Sequence, residues 1–203
     1  MFRKKRNSHE LVPIFVAIAL ILSFSSIFAP FVIITIIQDF FFKQVPNIWF
    51  FQSPVSSYVI AGVAFLYLGI VVGILAYYQS RIKGKKLFKS LGTIIAFVPG
   101  IVLIYLTVNQ YYYFTNEGIY QNDLFTIEEE LYQWEEIEKA IVVSKYNKKN
   151  SEVKLSELQL TTKDGETLSY SYNRELIKNQ YYIRNVLEDN KVELEQNLEG
   201  KEN

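Results

Sequence analysis

The sequence predicts an α+β protein: a three-helix transmembrane region followed by a small antiparallel β domain that a C-terminal helix closes. Three observations predict it. Three long stretches in the first half carry no charged side chain. The charge reverses near Asn109: ten basic and two acidic residues up to that point give +8, and 11 basic and 19 acidic residues beyond it give −8. From Gln110 onward the apolar residues cease to run continuously and begin to alternate, as they do in half-buried strands.

Composition narrows the function before any motif is read. The chain has 203 residues, 50% of them hydrophobic and 16% aromatic, with no cysteine and one histidine. Disulfide frameworks and cysteine-based metal or redox sites are thereby excluded. His9 alone cannot build a multi-histidine metal site. A formal net charge of zero gives no reason to expect nucleic-acid binding, and the aromatic content argues against a disordered chain.

The membrane region is expected over residues 1–109. Its spans are expected at about 11–37, 55–78 and 90–109, each free of charge and each long enough for a hydrocarbon core of about 30 Å. In lipid the backbone must satisfy its own hydrogen bonds, so each stretch should be helical. Pro30 and Pro99-Gly100 interrupt the first and third. A proline removes one helical hydrogen bond, which reads as a tolerated kink or as a hinge or cavity; the first reading is favoured. Gly69 and Gly73 form a small-residue pair that permits close helix packing, either within the chain or between copies in a homo-oligomer. No span carries a charge at its centre, which argues against an ion pathway or proton relay. The first stretch is too long for a typical signal-peptide core and is read as an uncleaved membrane helix.

Orientation follows from lysine and arginine. Arg3, Lys4, Lys5 and Arg6 flank the first stretch, and Arg81, Lys83, Lys85, Lys86 and Lys89 follow the second, whereas the first connection holds Lys43 alone. Positive loops stay in the cytoplasm. The N-terminus is therefore expected inside and the C-terminal domain outside, in a multi-pass protein of the cell membrane. Phe40-Phe41-Phe42, Ile48-Trp49-Phe50-Phe51 and Tyr111-Tyr112-Tyr113 read as aromatic belts at the outer interface.

The β domain is expected over 110–189. Phe114 to Tyr120 reads as strand, turn, strand, with Gly118 at positive φ. Further strand is expected over Leu124–Trp134, with Glu128-Glu129-Glu130 facing water. Trp134 to Ile137 is a bend into the β-prone run Ala140-Ile141-Val142-Val143, and Tyr146 to Ser151 is a polar loop. Leu158, Leu160 and Thr162 alternate, Asp164-Gly165 signals a tight hairpin with positive φ at both central residues, and Leu168, Tyr170 and Tyr172 return. Asn173 caps a helix that buries Leu176, Ile183 and Leu187. Residues 190–203 read as a polar, frayed tail.

The pattern Phe114-Thr115-x-x-Gly118-Ile119, Tyr132-x-Trp134-x-x-Ile137 and Leu158-x-Leu160-x-x-x-Asp164-Gly165, followed by an amphipathic helix, resembles bacterial pleckstrin-homology-like domains. The resemblance covers about residues 110–189. It implies a bent antiparallel sheet or partial barrel plugged by the final helix, with Trp134 and Ile137 in the core, Gly118 and Gly165 in turns, and Thr115, Ile119 and Asp164 as further structural positions. It implies no catalytic residue and no cofactor. A domain charged −8 is repelled by anionic headgroups.

Motif searches find no nucleophile elbow, phosphate loop or zinc helix. Two functions remain. One is a non-enzymatic membrane protein presenting a module that binds a protein or peptide. The other is an accessory subunit or membrane enzyme that uses the acidic run Glu128 to Glu138 for a cation or cationic substrate. Its partners are then the lipid bilayer, a protein or peptide, and in a third reading a second copy.

Overall fold

The computed structural model describes residues 11–42, 46–81, 91–126, 128–147 and 152–199. The basic residues at 3–6, Lys43, Lys83, Lys85, Lys86 and Lys89, together with His9 and most of the expected 146–151 loop, lie outside the described residues. The chain divides into two compact units. One comprises Met1–Gln44 with Val55–Gln110, the other Val45–Pro54 with Tyr111–Asn203.

The first unit is helical. The uncharged run expected as one helix is two, α1 (Val12–Ser25) and α2 (Ala29–Phe42), bent by 75°. Pro30 has no N–H for the carbonyl of Ser26, four residues back, so the ladder ends there. Ser23 Oγ donates to the Ala19 carbonyl and Ser26 Oγ to the Ser23 carbonyl, which satisfies both hydroxyls within α1. The two helices have 14 residues each, about 21 Å apiece. α3 (Val55–Arg81) has 27 residues and is the one described helix long and apolar enough to cross a membrane by itself. α4 (Leu91–Val108) continues through Pro99 without a break but is shorter. Tyr67 Oη on α3 donates to the Ala96 carbonyl, in the turn that precedes Pro99.

Glycines set how closely these helices approach. A Cβ on Gly69 would lie 2.6 Å from Ser23 Oγ and 3.1 Å from the Ala19 carbonyl. One on Gly62 would lie 2.8 Å from the carbonyl oxygen of Ser26, the group that Pro30 leaves without its donor. As α1 advances from Ala19 to Ser26 its neighbours on α3 recede from Gly73 to Gly62, so the two helices run antiparallel. Gly100 admits Leu68 in the same way, where a Cβ would meet its Cδ2 at 2.5 Å.

The unit is packed with its small residues inside. Ser57, Ala61, Ala64, Gly69 and Ala76 are buried, whereas Ile21, Phe24, Ile36, Val55, Val59, Ile94 and Tyr105 each expose more than half their surface. One polar cluster is enclosed. Gln38 Nε2 donates to the carbonyls of Val108 (3.0 Å) and Gln110 (3.4 Å), and Ser57 Oγ donates to Gln110 Oε1 at 2.8 Å. The Gln38 bonds serve main-chain carbonyls at and just past the C-terminus of α4, where no helical donor follows, and the Ser57 bond holds the Gln110 side chain.

The second unit has two four-stranded sheets. The first orders β1 (Phe50–Gln52), β2 (Tyr111–Phe114), β3 (Gly118–Asn122) and β4 (Glu130–Gln133), all antiparallel. The second contains β5 (Ile137–Asn147), β6 (Glu152–Thr162), β7 (Thr167–Ser171) and β8 (Leu194–Glu199), in the order β7-β6-β5-β8. A 3₁₀ turn at Trp134–Glu136 leads from one sheet to the other. The core gathers Phe50, Phe114, Ile119, Trp134, Ile137, Leu158, Leu160, Tyr170, Leu176, Ile183 and Leu187. Trp134 Nε1 donates to the Thr115 carbonyl at 2.8 Å, tying the bend to the first hairpin.

Several local expectations change. Of the aromatic runs expected at the interface, Phe50 and Phe51 begin β1 and Tyr111 to Tyr113 begin β2, and Phe50 pairs with Phe114. Only Glu130–Gln133 of the expected strand over 124–134 pairs, because Thr126 Oγ1 closes a turn with Asn122 and Asp123. Gly118 does not take positive φ. The turn is held by Thr115 Oγ1, which accepts from the N–H groups of Glu117 and Gly118, and glycine is required because a Cβ would overlap the Tyr132 carbonyl oxygen. At the second hairpin only Gly165 is left-handed, with φ 85°. Thr162 bonds both Gly165 and Glu166, which makes a three-residue loop with the bulge that such loops favour. Asn173 caps the helix as expected, its Oδ1 accepting from Leu176 N–H, but the helix breaks at Asn179 into α5 (Arg174–Lys178) and α6 (Gln180–Asp189). The expected frayed tail contains β8, which lies parallel to β5.

The glycine contacts separate two substitutions. Gly69→Val should lower the thermal midpoint in detergent, at a cost of about 1–3 kcal/mol from overpacking against Ser23. Gly73→Ala should leave it nearly unchanged, since its Cβ would meet Ala19 Cβ at an ordinary 3.8 Å. Equal effects in a thermal melt would contradict this packing.

Candidate functional site

Alternation along β2 sends Tyr112 and Phe114 into the core and Tyr111 and Tyr113 to the opposite face. There the two phenols meet one carboxylate. Tyr111 Oη donates to Glu129 Oε2 and Tyr113 Oη to Glu129 Oε1, each at 2.9 Å. Phe51 of β1 stacks on both rings, at centroid separations of 5.9 and 6.4 Å. Tyr120, opposite Tyr113 in the β2–β3 register, stacks on it at 4.8 Å and 9°, and its Oη donates to Glu117. A cleft of about 370 Å³ opens beside this pair, lined by Pro46, Asn47, Tyr113, Thr115, Asn116, Glu117 and Tyr120.

Electrostatics fix the protonation of this face. Burial, then the hydrogen bond to Glu129 and its negative charge, push the Tyr111 and Tyr113 phenols well above the ordinary tyrosine range. Burial and the Glu117 carboxylate raise Tyr120 as well. Phenols held in the neutral form are donors, not bases or nucleophiles. The arrangement holds carboxylates in place against tyrosines whose rings are buried.

The acidic run Glu128 to Glu138 does not converge on one point. Glu129 serves Tyr111 and Tyr113. Glu130 accepts from Tyr132 Oη, which also reaches Glu166. Glu136 Oε2 accepts from the Gln133 N–H and caps the 3₁₀ turn. Glu128, Glu135 and Glu138 are exposed. Among the described residues no three His, Cys, Asp or Glu side chains stand close enough to hold a metal ion.

Of the residues marked by the sequence, Thr115, Gly118, Ile119, Trp134 and Ile137 come together at the crossing from the first sheet to the second. Asp164 and Gly165 stay apart at the hairpin between β6 and β7. Gly69 and Gly73 belong to the helical unit, against α1. Sequence reasoning missed the link from Glu129 to Tyr111 and Tyr113. The spacing of two between the tyrosines carried part of that signal, because it places both phenols on one face of a strand.

Glu129→Gln should let Tyr111 and Tyr113 ionise at lower pH, read by absorbance near 295 nm, and should cost about 1 kcal/mol of stability from weakened hydrogen bonds. In the unaltered protein the raised phenols stabilise the fold below pH 10, the ordinary tyrosine value. That contribution is lost as pH climbs further, because the unfolded chain releases protons that the folded chain keeps. No protein-family model matches the chain, and a search of the curated proteins finds no match.

Proposed function

We propose that this chain is a multi-pass membrane protein that presents a pleckstrin-homology-like β domain outside the cytoplasm as a protein- or peptide-binding module, without catalysis of its own. The observation that carries this reading is the inverted packing of the helical unit, with small residues inside and large aliphatic and aromatic side chains outside. Water penalises such a surface at roughly 25 cal/mol per Å² of apolar area, and lipid does not.

Chain connectivity supports the orientation. β1 ends three residues before α3 begins, and β2 begins three residues after α4 ends. The two strands pair residue for residue. The chain entering α3 and the chain leaving α4 therefore belong to one side, and the α3–α4 hairpin is inserted into a single sheet. In sequence the basic residues from Arg81 to Lys89 lie between α3 and α4, and the positive-inside rule puts that connection in the cytoplasm. Two four-stranded sheets followed by a core-packed helix support the pleckstrin-homology-like reading. Dispersal of the Glu128 to Glu138 carboxylates favours this reading over a cation site, and the packing of Gly69 against Ala19 and Ser23 of α1 favours a contact within the chain over one between copies.

The absence of native cysteine makes the test clean. Asn116→Cys and Lys163→Cys should react with a membrane-impermeant maleimide in intact cells, and Lys85→Cys only after lysis. Labelling of Lys85→Cys from outside, or recovery of the protein in the soluble fraction, would refute the proposal.

A further inference from the structure

β5 is an interior strand only because β8 lies along it. β6 covers one edge of β5 in a long antiparallel register, from Ile137↔Thr162 to Asn147↔Glu152. β8 covers the other edge, from Ala140↔Leu194 to Lys145↔Glu199, and is the one parallel partner among the described strands. Parallel pairs are slightly less stable per residue than antiparallel ones.

Little besides main-chain bonding holds β8. Val192 is buried and Leu194 packs on the core, but Glu195, Gln196, Asn197 and Leu198 are exposed. The ion pair between Lys139 and Glu195, at 3.2 Å, joins two half-exposed side chains. A cleft of about 280 Å³, lined by Arg184, Leu187, Glu188, Val192, Glu193 and Leu194, runs where the strand leaves α6. Beneath it β5 is complete: Ala140, Val142 and Val143 are buried in the unit's interior. Loss of β8 would uncover a row of unpaired amides and carbonyls on β5, which β6 still pairs along its other edge with register shifts at Ile137/Lys139 and Val143/Ser144, and such an edge is the geometry of strand addition.

We propose that the β5 edge is a strand-acceptor site that β8 occupies within the chain, and that its external ligand is an extended acidic segment of a partner protein, bound parallel to β5 in place of β8. Charge complementarity selects that ligand. The acceptor edge carries Lys139 and Lys145, and β8 sets Glu195 against Lys139 and brings Glu199 into register with Lys145. Lys145 also pairs with Glu157 of β6 at 3.7 Å, and Glu138 precedes Lys139 on β5. The sequence Leu194-Glu195-Gln196-Asn197-Leu198-Glu199 is thus a template for the ligand: an apolar residue followed by a carboxylate, repeated four positions on. The inference rests on the reading of the domain as a peptide-binding module, and names its surface and its built-in competitor.

The test uses the full chain in lipid nanodiscs and a fluorescein-labelled peptide with the sequence of residues 191–199. Successive N–H groups on a strand point to opposite sides, so the double variant Gln196→Pro/Asn197→Pro removes one bond to β5 whichever side faces it. By fluorescence anisotropy the peptide should bind this variant about tenfold more tightly than the unaltered chain, whose own strand competes at high effective concentration. Lys139→Glu in the same background should weaken binding about two- to fivefold, the range of an exposed ion pair, and a Glu195→Lys peptide should restore it. Near-UV circular dichroism of Trp49 and Trp134 reports whether the variant is folded. Should it not fold, hydrogen exchange on the unaltered chain decides: the β8 amides should exchange well ahead of those between β5 and β6. Three outcomes overturn the proposal: a folded variant that binds no more tightly than the unaltered chain, a variant that dimerises instead of binding peptide, or β8 amides that exchange together with β5. If the cysteine labelling gives the wrong topology while the peptide binds, the membrane orientation fails and the acceptor site stands.

Discussion

A strand of three residues ties the two ends of a helical hairpin to one sheet. Phe50, Phe51 and Gln52 pair with Phe114, Tyr113 and Tyr112, so everything between them must leave the sheet and return to it. Much of the architecture follows from that constraint. It makes α3 and α4 a matched pair with both open ends together. It sets Phe50 in the core against Phe114, at a ring separation of 4.9 Å. It carries Trp49 to where its ring stacks on Tyr182 of α6 and on Trp134. Removing β1 would leave β2 as an open edge and unroof part of the aromatic core.

The legible parts of this molecule are those where a local pattern answers to a local cause. α3 can be read because 24 uncharged residues in a row leave an apolar helix as the simplest solution. Trp134, Ile137, Leu158 and Leu160 can be read as core because they alternate or bend where the chain must turn inward. Asn173 can be read as a cap because an amide before an apolar helical face accepts from a free N–H. The illegible parts depend on partners distant in sequence. A proline in an apolar run announces a kink, but not a 75° break seated against Gly62 on another helix. The aromatic cluster around Trp49 reads as interface residues, and nothing local announces its pairing with a strand beyond α4. β8 offers Leu194 and Leu198 with Glu, Gln and Asn between them, too polar to announce a strand, because main-chain bonds to β5 hold it in place of buried side chains.

The acidic residues show how charge can be present without a charged site. The second half of the chain carries a surplus of carboxylates, yet those with partners in the first sheet are each taken up by something ordinary: a pair of phenols, a single tyrosine, a capped turn. Every phenol that donates to a carboxylate removes one water-facing hydroxyl and orients one acid. The result is a set of buried aromatic rings, Tyr111 and Tyr113 among them, whose hydroxyls hold exposed carboxylates.

The interrupted sheet has a consequence for the order of events during synthesis. β1 emerges from the ribosome before either helix of the hairpin, and its partner β2 follows only after both. At ordinary translation rates that interval is on the order of seconds, long beside the microseconds in which a hairpin of adjacent strands can close. Through that interval Trp49, Phe50 and Phe51 are an unpaired apolar segment, followed directly by α3. The β unit cannot complete its first sheet until α4 has been made and turned back. Folding of the domain is therefore gated by completion of the helical pair, and a chain whose hairpin stalls is left with an aromatic strand that has nothing to join.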